Sequence, residues 1–205
     1  MTDPGPRQTY EFEIKFDVDG DTPFPDWSRV DAIADVQLLE VRDLDAVYFD
    51  TPDLDLGQAG HALRRRVGGP DAGWHIKGPL IGGARRELQW PLDHDETIPD
   101  AVVAAASEVA DPAMLAPIAR IRNTRVAFQV RDTEDRVLAE FVDDHVIATD
   151  LRSGVERTWR EWEYELGPVF PQDVVRMVDQ VKEAVSAAGG REAASASKLA
   201  RALGA

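Results

Sequence analysis

From Tyr10 to Asp17 the chain alternates strictly, with Tyr10, Phe12, Ile14 and Phe16 on one side and Glu11, Glu13, Lys15 and Asp17 on the other. A period of two over this length predicts a β-strand. Between Pro25 and Asp35, Trp27, Val30, Ile33 and Ala34 recur at helical spacing and predict a short helix, capped by Asp26 or Ser28. Residues Val36 to Tyr48 carry the Val, Leu and Tyr of a strand, and Asp50-Thr51-Pro52 reads as the turn and cap that ends it. Asp53 to Gly60 reads as a turn or short helix. Three more strands are expected at His61 to Val67, Trp74 to Lys77 and Arg85 to Leu92, and the Gly- and Pro-rich segments between them predict antiparallel hairpins.

Ala101 to Ala119 has helical propensity but is interrupted at Pro112 and Pro117, which predicts two short helices. Strands then resume at Ile118 to Val130, Val137 to Thr149 and Thr158 to Leu166. An amphipathic helix from Pro171 to Ala188 follows, and a final helix is expected near Ser195 to Leu203. A β-meander with helices inserted midway and at the end is α+β in class. The 205 residues suit one domain, 1–205, with a core of about 8–203.

The polar strand faces are the unusual feature. An ordinary half-buried strand carries mixed, replaceable polar residues on its outer face. Here Glu11, Glu13 and Lys15 share a face, as do Arg64 and Arg66, His75 and Lys77, and Arg85, Glu87 and Gln89. Glu161, Glu163 and Glu165 form a further row opposite Trp162, Tyr164 and Leu166. Side chains at i, i+2 and i+4 stand about 7 Å apart on one face, so three glutamates repel unless cations lie between them. A closed barrel with the charged faces inward resolves this. Glu11, Glu13, Glu163 and Glu165 would converge on a divalent metal while Arg64, Arg66 and Lys77 gather elsewhere in the lumen.

Composition narrows the chemistry. There is no cysteine, so a metal must be held by oxygen or imidazole, and Mg²⁺ or Mn²⁺ come first. The four histidines are scattered, which argues against a His-based site. A net charge of −15 repels nucleic acid and anionic membranes, so neither is expected as a partner. A polyanion would have to be bound by Arg and Lys gathered in one sheltered place. No apolar run approaches the roughly 20 residues of a membrane helix. Met1 to Tyr10 is polar where a secretory segment would be apolar, so a cytoplasmic location is expected. No P-loop or Gly-x-Ser-x-Gly pattern occurs. A lumen holding both carboxylates and guanidinium groups suits a metal-chelated phosphate chain, because Arg offers paired donors to phosphate oxygens and metal bridges phosphate to carboxylate.

These residues resemble the CYTH domain, or triphosphate tunnel metalloenzyme, family. Glu11-Phe12-Glu13-Ile14-Lys15 matches its Glu-x-Glu-x-Lys signature, and the similarity continues in order through Tyr48-Phe49-Asp50-Thr51, Leu63-Arg64-Arg65-Arg66, Gly73-Trp74-His75-Ile76-Lys77, Arg85 to Glu87, Glu140 with Asp144, the glutamate row, and Ser197-Lys198. The resemblance implies a closed eight-stranded antiparallel β-tunnel with a polar lumen, flanking helices and a need for Mg²⁺ or Mn²⁺. It implies Glu11, Glu13, Glu163 and Glu165 as metal ligands, with Glu87, Glu140, Asp144 and Glu161 as further metal-side carboxylates. Lys15, Arg64, Arg66, Lys77, Arg85 and Lys198 would contact phosphate, joined by Arg122 or Arg125, which cannot both face inward on a regular strand. Glu11, Glu13, Lys15, Glu163 and Glu165 would carry the catalysis. Gln89 departs from the pattern by standing where another carboxylate would extend the row. The family often carries a His-rich helical partner domain, and none is expected here.

Three functions remain open: hydrolysis of a triphosphate, foremost inorganic triphosphate but also thiamine or nucleoside triphosphates; a class IV type adenylyl cyclase; and a non-catalytic polyphosphate- or nucleotide-binding module. The expected partner is a small triphosphate, and the expected state is monomer or homodimer.

Overall fold

Apolar strand faces turn outward onto helices, and charged faces turn toward one another. In the computed structural model, which describes residues 5–92, 97–194 and 197–204, the strands are β1 Arg7–Glu11, β2 Glu13–Val18, β3 Asp35–Asp50, β4 Ala62–Val67, β5 Gly73–Ile81, β6 Ala84–Pro91, β7 Ala116–Arg131, β8 Val137–Asp150, β9 Glu156–Leu166 and β10 Arg191–Glu192. The helices are α1 Asp55–Gln58, α2 Asp100–Ala106, α3 Val174–Ala187 and α4 Lys198–Leu203. Position 195, where the last helix was expected to begin, and His94 lie outside the described residues.

The strands form one antiparallel sheet in the order β1-β6-β5-β4-β3-β7-β8-β9-β2-β10. This corrects the closed eight-stranded barrel: the sheet has ten strands and is not closed into a barrel. The reason lies at Phe12. The N-terminal strand, continuous in the sequence pattern, breaks there into β1, which pairs with β6, and β2, which pairs with β9. The two outer regions of the sheet are thus consecutive pieces of chain. Phe12 packs edge-on against Phe170, and its carbonyl accepts a hydrogen bond from the Leu166 amide. The short β10 adds a further strand beside β2.

The meander β7-β8-β9 and the hairpins β4-β5 and β5-β6 follow the expected antiparallel pairing. The helix expected at 25–35 is only a 3₁₀ turn, Trp27–Arg29, capped by the Asp26 side chain. Trp27 packs edge-on against Phe141, so tertiary burial decides this segment rather than helical spacing. Of the two helices expected over 101–119, α2 forms, while Pro112–Met114 makes a 3₁₀ turn capped by Asp111. Asp50 acts as the expected cap, its carboxylate accepting from the amides of Thr51, Leu56 and Gly57 at 2.8–2.9 Å.

Helix α3 sets Met177, Val181 and Val185 against Phe16, Phe141, Trp162 and Tyr164. Helix α2 covers Leu63, Trp74 and Trp90 in a second core, and α4 seats Leu199 and Ala202 on Ala46, Tyr48 and Ile121 in a third. Each fully buried large side chain contributes roughly 1.5–3 kcal/mol. Opposite the cores under α2 and α3, alternation obliges the intervening charged residues to face the concave side, whereas α4 packs on the concave side itself, where Ala46, Tyr48 and Ile121 line the cavity. No helix among the described residues is long and apolar enough to cross a membrane.

Candidate active site

The concave face encloses a cavity of about 110 Å³, lined by Glu11, Glu13, Lys15, Arg64, Arg66 and Lys77 with residues from β3, β6, β7, β9 and α4. Its charged groups sort into two regions.

At one, the pairing of β2 with β9 places Lys15 opposite Glu163, and the pairing of β8 with β9 places Asp144 opposite Glu161. Lys15 donates to Glu13 at 3.0 Å and also contacts Glu163. Arg125 donates to both oxygens of Asp144, at 2.8 and 2.7 Å, and to Glu163 at 2.6 Å. Lys198, at the first turn of α4, reaches Asp144 at 2.9 Å and Glu163 at 2.6 Å and contacts Glu161. Ser197 caps that helix by accepting from the Ala200 amide. Burial works against ionisation of Glu163, yet Lys15, Lys198 and Arg125 outweigh it and hold the carboxyl well below its usual range. Asp144 is held at about 2 in the same way, with Arg125 and Lys198 overcoming burial.

Asp144, Glu161 and Glu163 each offer an oxygen, all within 4.8 Å of one another. Three carboxylates with no nitrogen or sulfur form a donor set that fits a hard divalent ion such as Mg²⁺ or Mn²⁺. The contact of the Lys198 ammonium with all three residues shows that the trio already gathers around positive charge.

The other region is basic. Register places Lys77 beside Ala62, His75 beside Arg64 and Gly73 beside Arg66, so the cations follow one another along β4 and β5. Arg64 lies 3.4 Å from both the Tyr48 hydroxyl and Glu87. Lys77 contacts Glu11 and lies 3.9 Å from Glu87. The Nε atoms of Arg64 and Arg66 are buried without a hydrogen-bond partner among the described residues. Burial, then the neighbouring Arg64 and Arg125, push Arg66 down to about 9. Burial likewise pushes Glu11 up to about 7 against the pull of Lys77, with the nearby Glu87 adding to the rise.

Residues 9–166 match the CYTH domain. The chain belongs to the CYTH family. Two uncharacterized proteins of Mycobacterium tuberculosis, from strains CDC 1551 / Oshkosh and ATCC 25618 / H37Rv, are 34% identical over 98% of the chain. The chain spans only 42% of their length. Among solved structures, an adenylate cyclase candidate from Bacillus halodurans shares the fold with a TM-score of 0.65 and 19% identity, over 95% of this chain and 97% of that one. The PH1819 protein from Pyrococcus horikoshii OT3 does so at 0.60 and 16%, covering 94% and 98%. HpAC1 from Hippeastrum, an adenylyl cyclase candidate described as revealing a dominant triphosphatase activity, does so at 0.52 and 17%, covering 93% of each chain.

Within this CYTH fold, several expected positions move. Glu11, Glu13, Glu163 and Glu165 all line the cavity, but they do not form one cluster. Glu11 faces Lys77, and Glu13 faces Lys15. Glu163 joins Asp144 and Glu161, because strand register brings β8 beside β9. Glu87 sits in the basic region, hydrogen-bonded to His75 at 2.9 Å. Arg85 lines the cavity and donates to the Gly78 carbonyl at 3.3 Å.

The alternative on β7 resolves for Arg125. Arg122 is half exposed, lies outside the cavity lining and approaches Glu156 only at 3.7 Å, so its expected phosphate contact is corrected. Asn123 takes the inward position at spacing two from Arg125. Glu140 is also displaced from the expected metal set: Arg42 holds it with paired bonds of 2.9 and 3.1 Å, outside the cavity lining. Sequence reasoning passed over Arg42, Asn123 and Asp71. Only the parity of Arg42 and Asn123 with Arg125 across β3 and β7 could have flagged the first two.

Proposed function

We propose that this CYTH chain binds a linear triphosphate in its cavity together with Mg²⁺ or Mn²⁺ and hydrolyses it, with inorganic triphosphate as the foremost substrate. The observation that carries this reading is that one cavity holds the run of Arg64, Arg66 and Lys77 together with Glu163, which forms an oxygen-only carboxylate trio with the buried Asp144 and Glu161 behind it. Such a site matches a ligand with negative oxygens on one side and a shared cation on the other.

In this mechanism Arg64, Arg66 and Lys77 bind the phosphate oxygens, and their burial strengthens each contact. Lys15 and Arg125 stand on the carboxylate side, where they meet charge that builds on the reacting phosphoryl group. A divalent ion held by Asp144, Glu161 and Glu163 would neutralise phosphate charge and polarise a phosphoryl oxygen. Glu13 and Glu165, both on the cavity wall, orient the attacking water. Water adds to a terminal phosphorus, the bridging P–O bond breaks, and phosphate and pyrophosphate leave.

The test is to incubate the purified protein with inorganic triphosphate, ATP and thiamine triphosphate, with Mg²⁺ or Mn²⁺, and identify every product. Free phosphate from inorganic triphosphate is expected. Cyclic AMP with pyrophosphate would replace this reading by a cyclase, and saturable binding without turnover by a binding module.

A further inference from the structure

We infer that Asp71 closes one end of the phosphate run and sets the length of the phosphate chain the cavity accepts. This rests on the triphosphate reading above. The cations Lys77, Arg64 and Arg66 succeed one another at every second residue toward the β4-β5 turn, spanning about 13 Å at strand rise. Beyond Arg66 the next charged group on the cavity wall is the Asp71 carboxylate, which abuts the Arg66 guanidinium. A short phosphate chain lies within the run. A longer one must pass a fixed negative charge.

Asp71 is held in place by a built turn. His75 Nε2 lies 3.0 Å from the Asp71 carbonyl. The other ring nitrogen, Nδ1, lies 2.9 Å from Glu87, which fixes the ring. Gln89 Nε2 donates to the same Asp71 carbonyl at 3.2 Å. Here the departure of Gln89 from the carboxylate row gains a physical reason, since a glutamate could not donate to a carbonyl. Gly68, at φ +82°, lets the turn cross β3 where any Cβ would collide with the Asp43 carbonyl. Asp71 is therefore a specificity-determining residue, and His75 and Gln89 are positioning residues that act through it.

The experiment compares kcat/KM for inorganic triphosphate and for long-chain polyphosphate, with calorimetric binding of both, in the wild type and in Asp71→Asn, Asp71→Ala, Gln89→Glu and the double variant Gln89→Glu/Asp71→Ala. The wild type is expected to favour triphosphate. Both Asp71 variants are expected to raise the ratio of long-chain to triphosphate kcat/KM about tenfold, as removal of about 1.4 kcal/mol of repulsion would. Gln89→Glu should raise the ratio in the wild-type background and add nothing in the Asp71→Ala background, which a merely structural defect would not reproduce. An unmoved ratio in the Asp71 variants, or a Gln89→Glu shift of equal size in both backgrounds, overturns the inference while leaving triphosphate hydrolysis standing. A wild type that neither binds nor cleaves triphosphate removes the functional reading itself, and this inference with it.

Discussion

The carboxylate trio reaches the cavity through Glu163 and the arginine run lines it directly, but their charges are balanced in opposite ways. Around Asp144, Glu161 and Glu163, cations arrive from three elements, β2, β7 and α4, and Glu163 alone meets Lys15, Arg125 and Lys198. Glu163 and Asp144 are both held below the usual carboxylate range. Along Arg64, Arg66 and Lys77 the compensation is thinner: Lys77 meets Glu11, Glu87 is shared among Arg64, His75 and Lys77, and among the described residues Arg66 pairs only with the half-exposed Asp71. One region is shaped to surround a cation, the other is short of anions. A buried cation without full pairing is costly, so the second region gains most when a polyanion arrives.

The sharpest way to break this contrast is at Glu163. Glu163→Gln is expected to abolish metal-dependent turnover and, because three cations lose a shared partner, to lower stability by about 3–5 kcal/mol. Full turnover in the phosphate-release assay would refute the carboxylate side of the comparison. Next comes Arg64→Ala, which should reduce kcat by about 10²–10³, or about 2.7–4 kcal/mol, if Arg64 behaves as an oriented transition-state donor. Loss confined to KM would instead mark it as a binding group only.

A smaller effect sharpens the comparison through pH. Glu11 has a folded pKa raised from 4.5 to about 7, so the folded state holds more protons than the unfolded state between these values. Stability from this group is present below about pH 4.5 and falls as pH rises through 7. Glu11→Gln should therefore match the wild type in Tm at the acidic end and exceed it above neutrality. A Tm difference independent of pH would contradict this. Smallest of all, Arg122→Ala should change stability by less than about 0.5 kcal/mol and leave turnover intact, since its side chain points outward.

Much of the site could be read directly from alternation. Glu161, Glu163 and Glu165, and Glu11, Glu13 and Lys15, declared their shared faces because a strand has a period of two, and the apolar residues between them fixed which face was buried. What alternation does not contain is register across strands. Asp144 enters the trio only because it sits opposite Glu161, and Glu140 leaves it because Arg42 reaches across from β3. The choice between Arg122 and Arg125 needed the same information. Asp71 was invisible for another reason: it lies in a turn, where no period applies, and its importance comes from two side chains that hold its backbone. The break at Phe12 gave no sequence signal, since Tyr10 to Asp17 alternates without interruption.

That break also orders events in time. The segment carrying Glu11, Glu13 and Lys15 is made well before Glu163, which Lys15 meets across a gap of 148 positions in the chain. Contacts so distant in sequence must wait for the intervening hairpins and slow assembly. Glu13 and Lys15 therefore complete their side of the cavity only once β9 is in place beside β2.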